Sequence, residues 1–321
     1  MKEWIHKQKF CITGGAGVLG LCLIRKLREK GATHIIVLDQ RDNPLLGRMA
    51  DTVEFIRGSI LNSSLLDKAM KGCTVVFHLA ALVHAGKSRS DPVNYVKTNC
   101  LGTIRVLEIC KKKKVGQVIY TSTGHVYGRP CNLPVNEKHI ASPLSIYAAT
   151  KLAGESFMHA YASSYGFPTV IARLANLYSS SSNSDTVVGI ALQQVTEGSA
   201  IHIRNLAAVR DFIYIDDAAE ALVRLAAMTK NQYESPVVNV STGIGISIEE
   251  LCKMLADAAV RQGLERLDIR QENNYPEEQI PAFVLDNSLL RDLTGWTPGI
   301  TMEEGLSTAL KERLRGSMVV A

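Results

Sequence analysis

Lys9-Phe10-Cys11-Ile12-Thr13 reads as a short apolar strand, and it breaks at once into Gly14-Gly15-Ala16-Gly17-Val18-Leu19-Gly20 before an amphipathic helical pattern that runs to about Lys30. Few folds use a strand, a glycine turn and a helix in direct succession. The first glycine permits the tight turn, the middle one lets backbone approach a bound group, and the last lets the helix pack on the strand. The helix N-terminus adds unpaired N–H groups and the positive end of a dipole. Together these make a seat for the pyrophosphate of a dinucleotide. The next apolar run, His34 to Leu38, reads as a second strand and ends in Asp39, nineteen residues after Gly20. A carboxylate there bonds the adenosine ribose hydroxyls and repels a 2′-phosphate, so NAD is favoured over NADP. Arg41 pulls the other way, because an arginine at that edge neutralises a phosphate.

The rest of the composition narrows the class. With 321 residues and 46% hydrophobic content, the chain can bury one large α/β domain or a large domain with a smaller lobe. The longest apolar run, Thr74 to Val83, is interrupted by His78 and is too short to span a bilayer. The start, Met1 to Lys9, is basic, but the apolar stretch after it breaks at Gly14, Gly15 and Gly17, unlike a signal peptide; a cytoplasmic location and no membrane partner are expected. Cys11, Cys22, Cys73, Cys100, Cys110, Cys131 and Cys252 are scattered without zinc-site or redox spacing, which predicts reduced, mostly buried thiols and no metal. Lys111-Lys112-Lys113-Lys114 contributes to the net charge of +5. No aromatic residue interleaves that run to stack on bases, so it reads as a solvated helix end and no nucleic-acid partner is expected.

Further strands are predicted at Val53–Arg57, Val75–Ala81, Gln117–Thr121 and Thr169–Leu174, with a helix over about Val93–Lys113 and another from Tyr147 through Tyr161. Strands alternating with helices after a dinucleotide turn predict a doubly wound parallel α/β sheet. Tyr147 and Lys151 are four apart and share one helical face, so their functional ends address one site. A free phenol holds its proton to pH ~10, and a base poised near pH 7 needs ~4 kcal/mol of differential stabilisation, which a nearby ammonium can supply in part.

Tyr147-Ala148-Ala149-Thr150-Lys151, with Thr123 upstream, resembles the signature of the short-chain dehydrogenases and reductases. The glycine spacing resembles that of their extended branch, the NAD-dependent nucleotide-sugar epimerases and dehydratases, and further segments extend the likeness nearly end to end. Gly58-Ser59-Ile60 stands where the family has Gly-Asp-Ile or Gly-Asp-Val, with Ser59 a departure. His78-Leu79-Ala80-Ala81, Ser122-Thr123-Gly124-His125-Val126-Tyr127-Gly128, Arg173-Leu174-Ala175-Asn176, Arg210-Asp211-Phe212 and Asp286 to Leu310 also match family segments. Ser179 to Ser184 replaces the family's Gly-Pro and reads as a flexible loop. The resemblance implies a Rossmann domain over 1–176 with a contribution from about 211–240, a mainly substrate-binding lobe over 177–321, and a homodimer. It implies Thr123, Tyr147 and Lys151 as catalytic residues. Gly14, Gly17, Val18, Leu19, Asp39, Gln40, Ser59, Ile60, Leu79, Ala80, Ala81, Asn99 and Thr121 would join Tyr147 and Lys151 around NAD. His84, His125, Asn176 and Arg210 would face a nucleotide diphosphate sugar, Arg210 at its phosphates; His78 reads as structural.

The resemblance implies transient oxidation of the sugar C4 hydroxyl to a 4-keto intermediate. Its fate separates a 4-epimerase from a dehydratase, a decarboxylase or a 4-ketoreductase. Gly124 and His125 fill the positions where 4,6-dehydratases carry an aspartate and a glutamate, so elimination lacks its acid and epimerisation is the leading expectation. The alternative of another class is a non-catalytic NAD-binding sensor.

Overall fold

The computed structural model describes residues 1–182, 185–198, 200–228, 235–272 and 280–316. In chain order its strands are β1 (Phe10–Thr13), β2 (Ile35–Asp39), β3 (Val53–Arg57), β4 (Val75–His78), β5 (Gln117–Thr123), β6 (Thr169–Leu174), β7 (Asn176–Tyr178), β8 (Ile201–Ile203), β9 (Val209–Tyr214), β10 (Val237–Val240), β11 (Gly245–Ser247), β12 (Ile269–Gln271) and β13 (Ala282–Phe283). Among the described residues, seven of these form a parallel sheet in the order β10-β6-β5-β4-β1-β2-β3. The chain winds outward from β1 to β3, then crosses to β4 and winds the other way. The carboxyl ends of β1 and β4 are therefore the topological switch point, where a crevice opens for a ligand.

The sheet strands are nearly continuous apolar runs because helices cover both faces. On one face Phe10, Ile12 and Val37 pack with Leu23 and Leu27 of the helix Val18–Glu29 and with Leu222 and Leu225 of the helix Ile215–Ala227. On the other, Cys11, Val76 and Tyr120 pack with Val106 and Leu107 of the helix Gly102–Lys113 and Met158 of the helix Ile146–Tyr165. A separate core joins Tyr178 of β7 and Phe212 of β9 to Leu192, Leu251, Leu255, Leu306 and Leu310. There β9 pairs with β7, β11 and β13, so the C-terminal part of the chain lies against the strand ends that follow β6.

Several expectations need correction. The fourth strand ends at His78, and Leu79–Ala81 leave the ladder as irregular, half-buried backbone. The helix expected over 93–113 is interrupted: Val96–Leu101 is a π-helical turn centred near Asn99. β5 runs on to Thr123, and the Tyr147 helix runs on to Tyr165, ending at Gly166 in the left-handed region. In the serine run, 183 and 184 lie outside the described residues; Ser179 and Ser180 are buried, and a hydrogen-bonded turn replaces the expected flexible loop. The lysine run is a paired helix end: Lys112 and Lys113 reach Asp67 and Lys111 reaches Glu108. All seven cysteines are free, five of them buried. Among the described residues no helix is long and apolar enough to cross a membrane.

Candidate active site

The glycine turn is closed by its neighbours. Gly14 has φ +74°, and a Cβ there would stand 2.6 Å from Ala80 N, so β4's exit segment can approach only a glycine. A Cβ on Gly20 would stand 2.5 Å from Gly15 Cα, which is the close helix-on-strand contact the spacing predicts. Gly17 caps the helix that begins at Val18 and Leu19, whose first-turn N–H groups have no upstream carbonyl. Asp39 ends β2 beside this turn: its Oδ2 accepts from Ala16 N–H at 3.1 Å and its Oδ1 from Arg41 N–H at 3.0 Å. Lone pairs remain on both oxygens for ribose hydroxyls. Gln40 and Arg41 follow with exposed side chains. Ser59 Oγ accepts from Leu61 N–H at 3.1 Å, which leaves its own proton to donate. The Ile60 side chain is buried where a Cβ on Gly102 would meet it, so Ile60 offers a ligand only backbone. These residues fit NAD: a pyrophosphate at the Val18 helix, a ribose at Asp39 and an adenine edge near Ser59 and Ile60.

Behind the crevice a buried polar chain fixes the floor. Thr103 donates to Asn99 O at 2.6 Å, so its oxygen accepts from His78 Nε2–H at 2.9 Å and Nδ1 is left to accept from Thr13 at 2.7 Å. His78 is a neutral structural histidine; burial, aided by the Lys151 charge, pushes its pKa down to about 3. Asn99 accepts from Leu82 N–H at 2.8 Å and donates to Leu82 O at 3.0 Å and Thr150 Oγ1 at 2.9 Å. Its carboxamide thus ties the segment after Ala81 to the Tyr147 helix, and the π-turn aims it there. Thr121 is buried and donates to His78 O at 3.3 Å.

Tyr147, Thr123 and Lys151 converge at the end of β5. Ser145 caps the helix by accepting from Ala148 N–H, and Ser88 Oγ accepts from Tyr147 N–H at 3.2 Å. Thr123 caps the following turn by accepting from His125 N–H, and its hydroxyl stands against the Tyr147 phenol, whose pKa it lowers. Tyr147 is half-buried, and burial pushes its pKa up to about 12, with the Thr123 bond opposing and Tyr95 adding. Lys151 is 3% exposed, and burial depresses it to about 7 against the influence of Glu155 and Cys100. Its Nζ lies 4.1 Å from the Tyr120 ring centroid. Burial, Thr123 and Tyr95 move the phenol, and Lys151 Nζ faces the Tyr120 ring from the same helix as Tyr147.

The substrate candidates fall into two groups. His125 hydrogen-bonds Asn176, its ring centroid lies 6.4 Å from that of Phe283, and burial with the Arg210 charge lowers its pKa, so it is neutral at pH 7. The residue is exposed at the surface. Asn176 donates to Asp211 O at 3.0 Å. Arg210 donates to Val209 O at 2.7 Å and Ile280 O at 2.9 Å. Nearby, Asp211 accepts from Thr242 and Gly243, and Asp217 from Gly299 and Ile300. His84 stands apart, Nδ1 2.9 Å from Asp185 Oδ2, with Tyr95 donating to its carbonyl at 2.7 Å. Sequence reasoning missed Glu155 and Phe283. Glu155 sits one turn beyond Lys151, a spacing that was readable, whereas Phe283 lies far along the chain in a two-residue strand with no pattern of its own.

Residues 10–241 match the model of the NAD dependent epimerase/dehydratase family. The chain belongs to that family. Over 317 residues this epimerase/dehydratase family member is 28% identical to the UDP-glucose 4-epimerase of Mycolicibacterium smegmatis, covering 94% of this chain and 96% of that protein. It is also 29% identical over 280 residues to the dTDP-D-glucose 4,6-dehydratase of Dictyostelium discoideum, covering 81% of this chain and 64% of the other. The crystal structure of UDP-glucose 4-epimerase with UDP-glucose from Thermotoga maritima superposes with a TM-score of 0.85 at 27% identity, over 97% of this chain and 99% of that one. The cofactor of the family is NAD.

Proposed function

We propose that this family member is an NAD-dependent nucleotide-sugar 4-epimerase. Bound NAD supplies a hydride acceptor and donor at the sugar C4. Tyr147 would take the proton of the C4 hydroxyl and return it, Thr123 would hold that oxygen, and Lys151 would provide the positive charge that makes a phenolate tolerable beside it. His125 and Asn176 would bond the sugar, and Arg210 would meet the diphosphate, for which a guanidinium fork is suited. The two-part division of the chain follows: strands up to 176 and β10 hold the cofactor, and the part from 177 on chiefly holds the substrate.

One observation carries the choice of epimerisation over elimination. A Cβ on Gly124 would stand 3.0 Å from Leu285 Cδ1 and 3.0 Å from Phe283 Cε1. The position that holds an acid in the dehydratases therefore lacks the carboxyl, and Leu285 and Phe283 crowd the space a side chain there would enter. Epimerisation at C4 needs no second acid, only a turn of the 4-keto sugar between two hydride transfers. The UDP-glucose bound by the Thermotoga relative makes UDP-hexoses the first substrates to try. In heavy water with UDP-glucose, the product should be the C4 epimer with no deuterium at C5 and NAD needed only catalytically. Deuterium at C5 or a 6-deoxy-4-keto product would move the reading to a dehydratase, and stoichiometric NADH consumption to a ketoreductase. NAD retained without turnover of any sugar nucleotide would support a sensor. We also propose a cytoplasmic homodimer; Val93, Val96 and Leu101 expose apolar surface along one helical stretch. A monomer by light scattering would remove the dimer.

A further inference from the structure

Away from the candidate active site, a cleft of about 560 Å³ opens between the helix Val18–Glu29, the start of the helix Ile215–Ala227, and the helix Met302–Leu314. None of its lining residues belongs to the cofactor or sugar sets described above. Its walls carry one cation, Arg25, against three acids, Asp216, Glu304 and Glu312. The Arg25 charge is already engaged: Asp216 Oδ2 lies 2.7 Å from Arg25 Nη2 and 3.3 Å from Lys26 Nζ, and Glu29 accepts from Arg25 Nη1 at 2.8 Å. The charge presented to a ligand is therefore negative.

The acids of the far wall stand in a row. Glu304, Thr308 and Glu312 recur every four residues along Met302–Leu314 and all line the cleft, which sets the two carboxylates ~12 Å apart along the helix axis. Glu304 accepts from Thr301 through Oε2, which leaves Oε1 for a ligand. A carboxylate takes several donors, so Glu312 keeps acceptor sites whatever else it meets. It also stands in the last turn of its helix, where the dipole adds partial negative charge. Such a row does not suit a compact metal ion, and among the described residues no group of three or more acids, histidines or cysteines is arranged to hold one. Tyr214 supplies an independent sign of a ligand. It is 7% exposed, and Tyr178 holds its ring edge-on with the centroids 5.3 Å apart. Its side chain lines the cleft, yet its hydroxyl has no hydrogen-bond partner among the described residues. A phenol buried that far calls for one. Burial, with the charges of Glu312 and Asp216, raises its pKa, so it keeps its proton.

We propose that this cleft binds a linear aliphatic polyamine, with an end ammonium on each of Glu304 and Glu312 and a middle one on the hydroxyl oxygens of Thr308 and Tyr214. Ammonium groups are donors only, and carboxylate, hydroxyl and phenol oxygens all accept. The methylene segments between them pack on Ile300 and the Tyr214 ring, which supply the apolar part of the lining. The chain as a whole carries a net charge of +5 and repels a polycation, so binding depends on this local row and not on bulk charge.

Calorimetry with spermidine on the full chain, without NAD or sugar nucleotide, tests this independently of which reaction the enzyme performs. Spermidine should bind saturably at low salt, and Mg2+ and the shorter diamine putrescine should bind at least ~10-fold more weakly. Tyr214→Phe leaves every charge in place and should weaken spermidine by roughly tenfold, the loss of a hydrogen bond to a charged group. Glu304→Gln/Glu312→Gln should remove measurable binding. Glutamine at 304 still closes the capping box with Thr301, so the helix start is kept. Absence of saturable binding overturns the proposal. So does a spermidine affinity unchanged in Tyr214→Phe, which would reduce the uptake to diffuse charge, or an equal affinity for Mg2+ or putrescine, which would remove the match to the row.

Discussion

Phe283 closes the space in front of Gly124, with its Cε1 3.0 Å from where a Cβ would be. The glycine is buried, and Phe283 and Leu285 belong to the same small apolar cluster as Val126 and Tyr127. Gly124→Asp should therefore lose ~1–3 kcal/mol to overpacking alone, lowering the melting temperature by several degrees in a chain of this size. It should yield no 6-deoxy-4-keto product, because the carboxyl would be crowded by the Phe283 and Leu285 side chains and one acid alone does not complete the dehydratase pair. Elimination appearing in a stable Gly124→Asp variant would show that the wall yields.

The burial that prepares Lys151 for its role works against folding. Its folded pKa, about 7, lies below that of an exposed lysine, so between these values the unfolded chain binds more protons and stability rises with pH. The penalty is full below pH 7, on the order of a few kcal/mol, and fades toward pH 10. Lys151→Met should raise the melting temperature measured without NAD, more at pH 6 than at pH 9.5, while abolishing turnover. An equal change at both pH values would contradict the depressed lysine.

Tyr147→Phe should leave NAD affinity nearly intact and lower turnover by ~100-fold or more, as loss of a positioned acid/base does. Thr123→Val tests the partner. It removes both the bond to the phenol and the cap on His125 N–H, so both turnover and melting temperature should fall, the latter by roughly 1 kcal/mol of stability. Wild-type turnover in Tyr147→Phe would take the phenol out of the mechanism.

The ribose edge gives a fourth expectation. Asp39 is held by Ala16 and Arg41 N–H groups, which fixes a negative charge where a 2′-phosphate would sit, and the Arg41 side chain is exposed beside it. NAD should bind at least ~10-fold more tightly than NADP, and Asp39→Asn should narrow that ratio by removing repulsion. Equal dissociation constants in the wild type would refute this.

Much of this was legible in the chain, and the parts that were not share a physical cause. The glycine turn, Asp39 and the Tyr147 helix announce themselves because each is local: a turn needing no Cβ, a carboxylate at a strand end, two residues one turn apart. The end of β4 at His78 was not legible, since Leu79-Ala80-Ala81 is as apolar as a strand and its departure from the ladder, against the Gly14 turn, is a tertiary matter. The π-turn at Asn99 was hidden for the same reason: what aims that carboxamide at Leu82 and Thr150 is a tertiary hydrogen-bond set. The wall at Gly124 comes from Phe283 and Leu285, more than a hundred residues away, and no period marks them.

Arg210 is where the resemblance and the geometry ask for the sharpest test. The family segment assigns its guanidinium to substrate phosphates, yet here it donates to the carbonyls of Val209 and Ile280. Both roles are compatible with five N–H donors on a fork, and its charge already reaches the cleft, where it lowers the pKa of His125. If Arg210 also meets the diphosphate, Arg210→Ala should weaken UDP binding by roughly ten- to a hundredfold, the cost of a charge-assisted hydrogen bond, and leave NAD affinity unchanged. The His125 titration should rise in the same variant, because the cation that opposes its protonation is gone while the Asn176 bond that favours it remains. Calorimetry with UDP and with NAD, beside an NMR titration of His125, reads all three. Unchanged UDP affinity with a lower melting temperature would reduce Arg210 to a tie between β9 and the segment at Ile280.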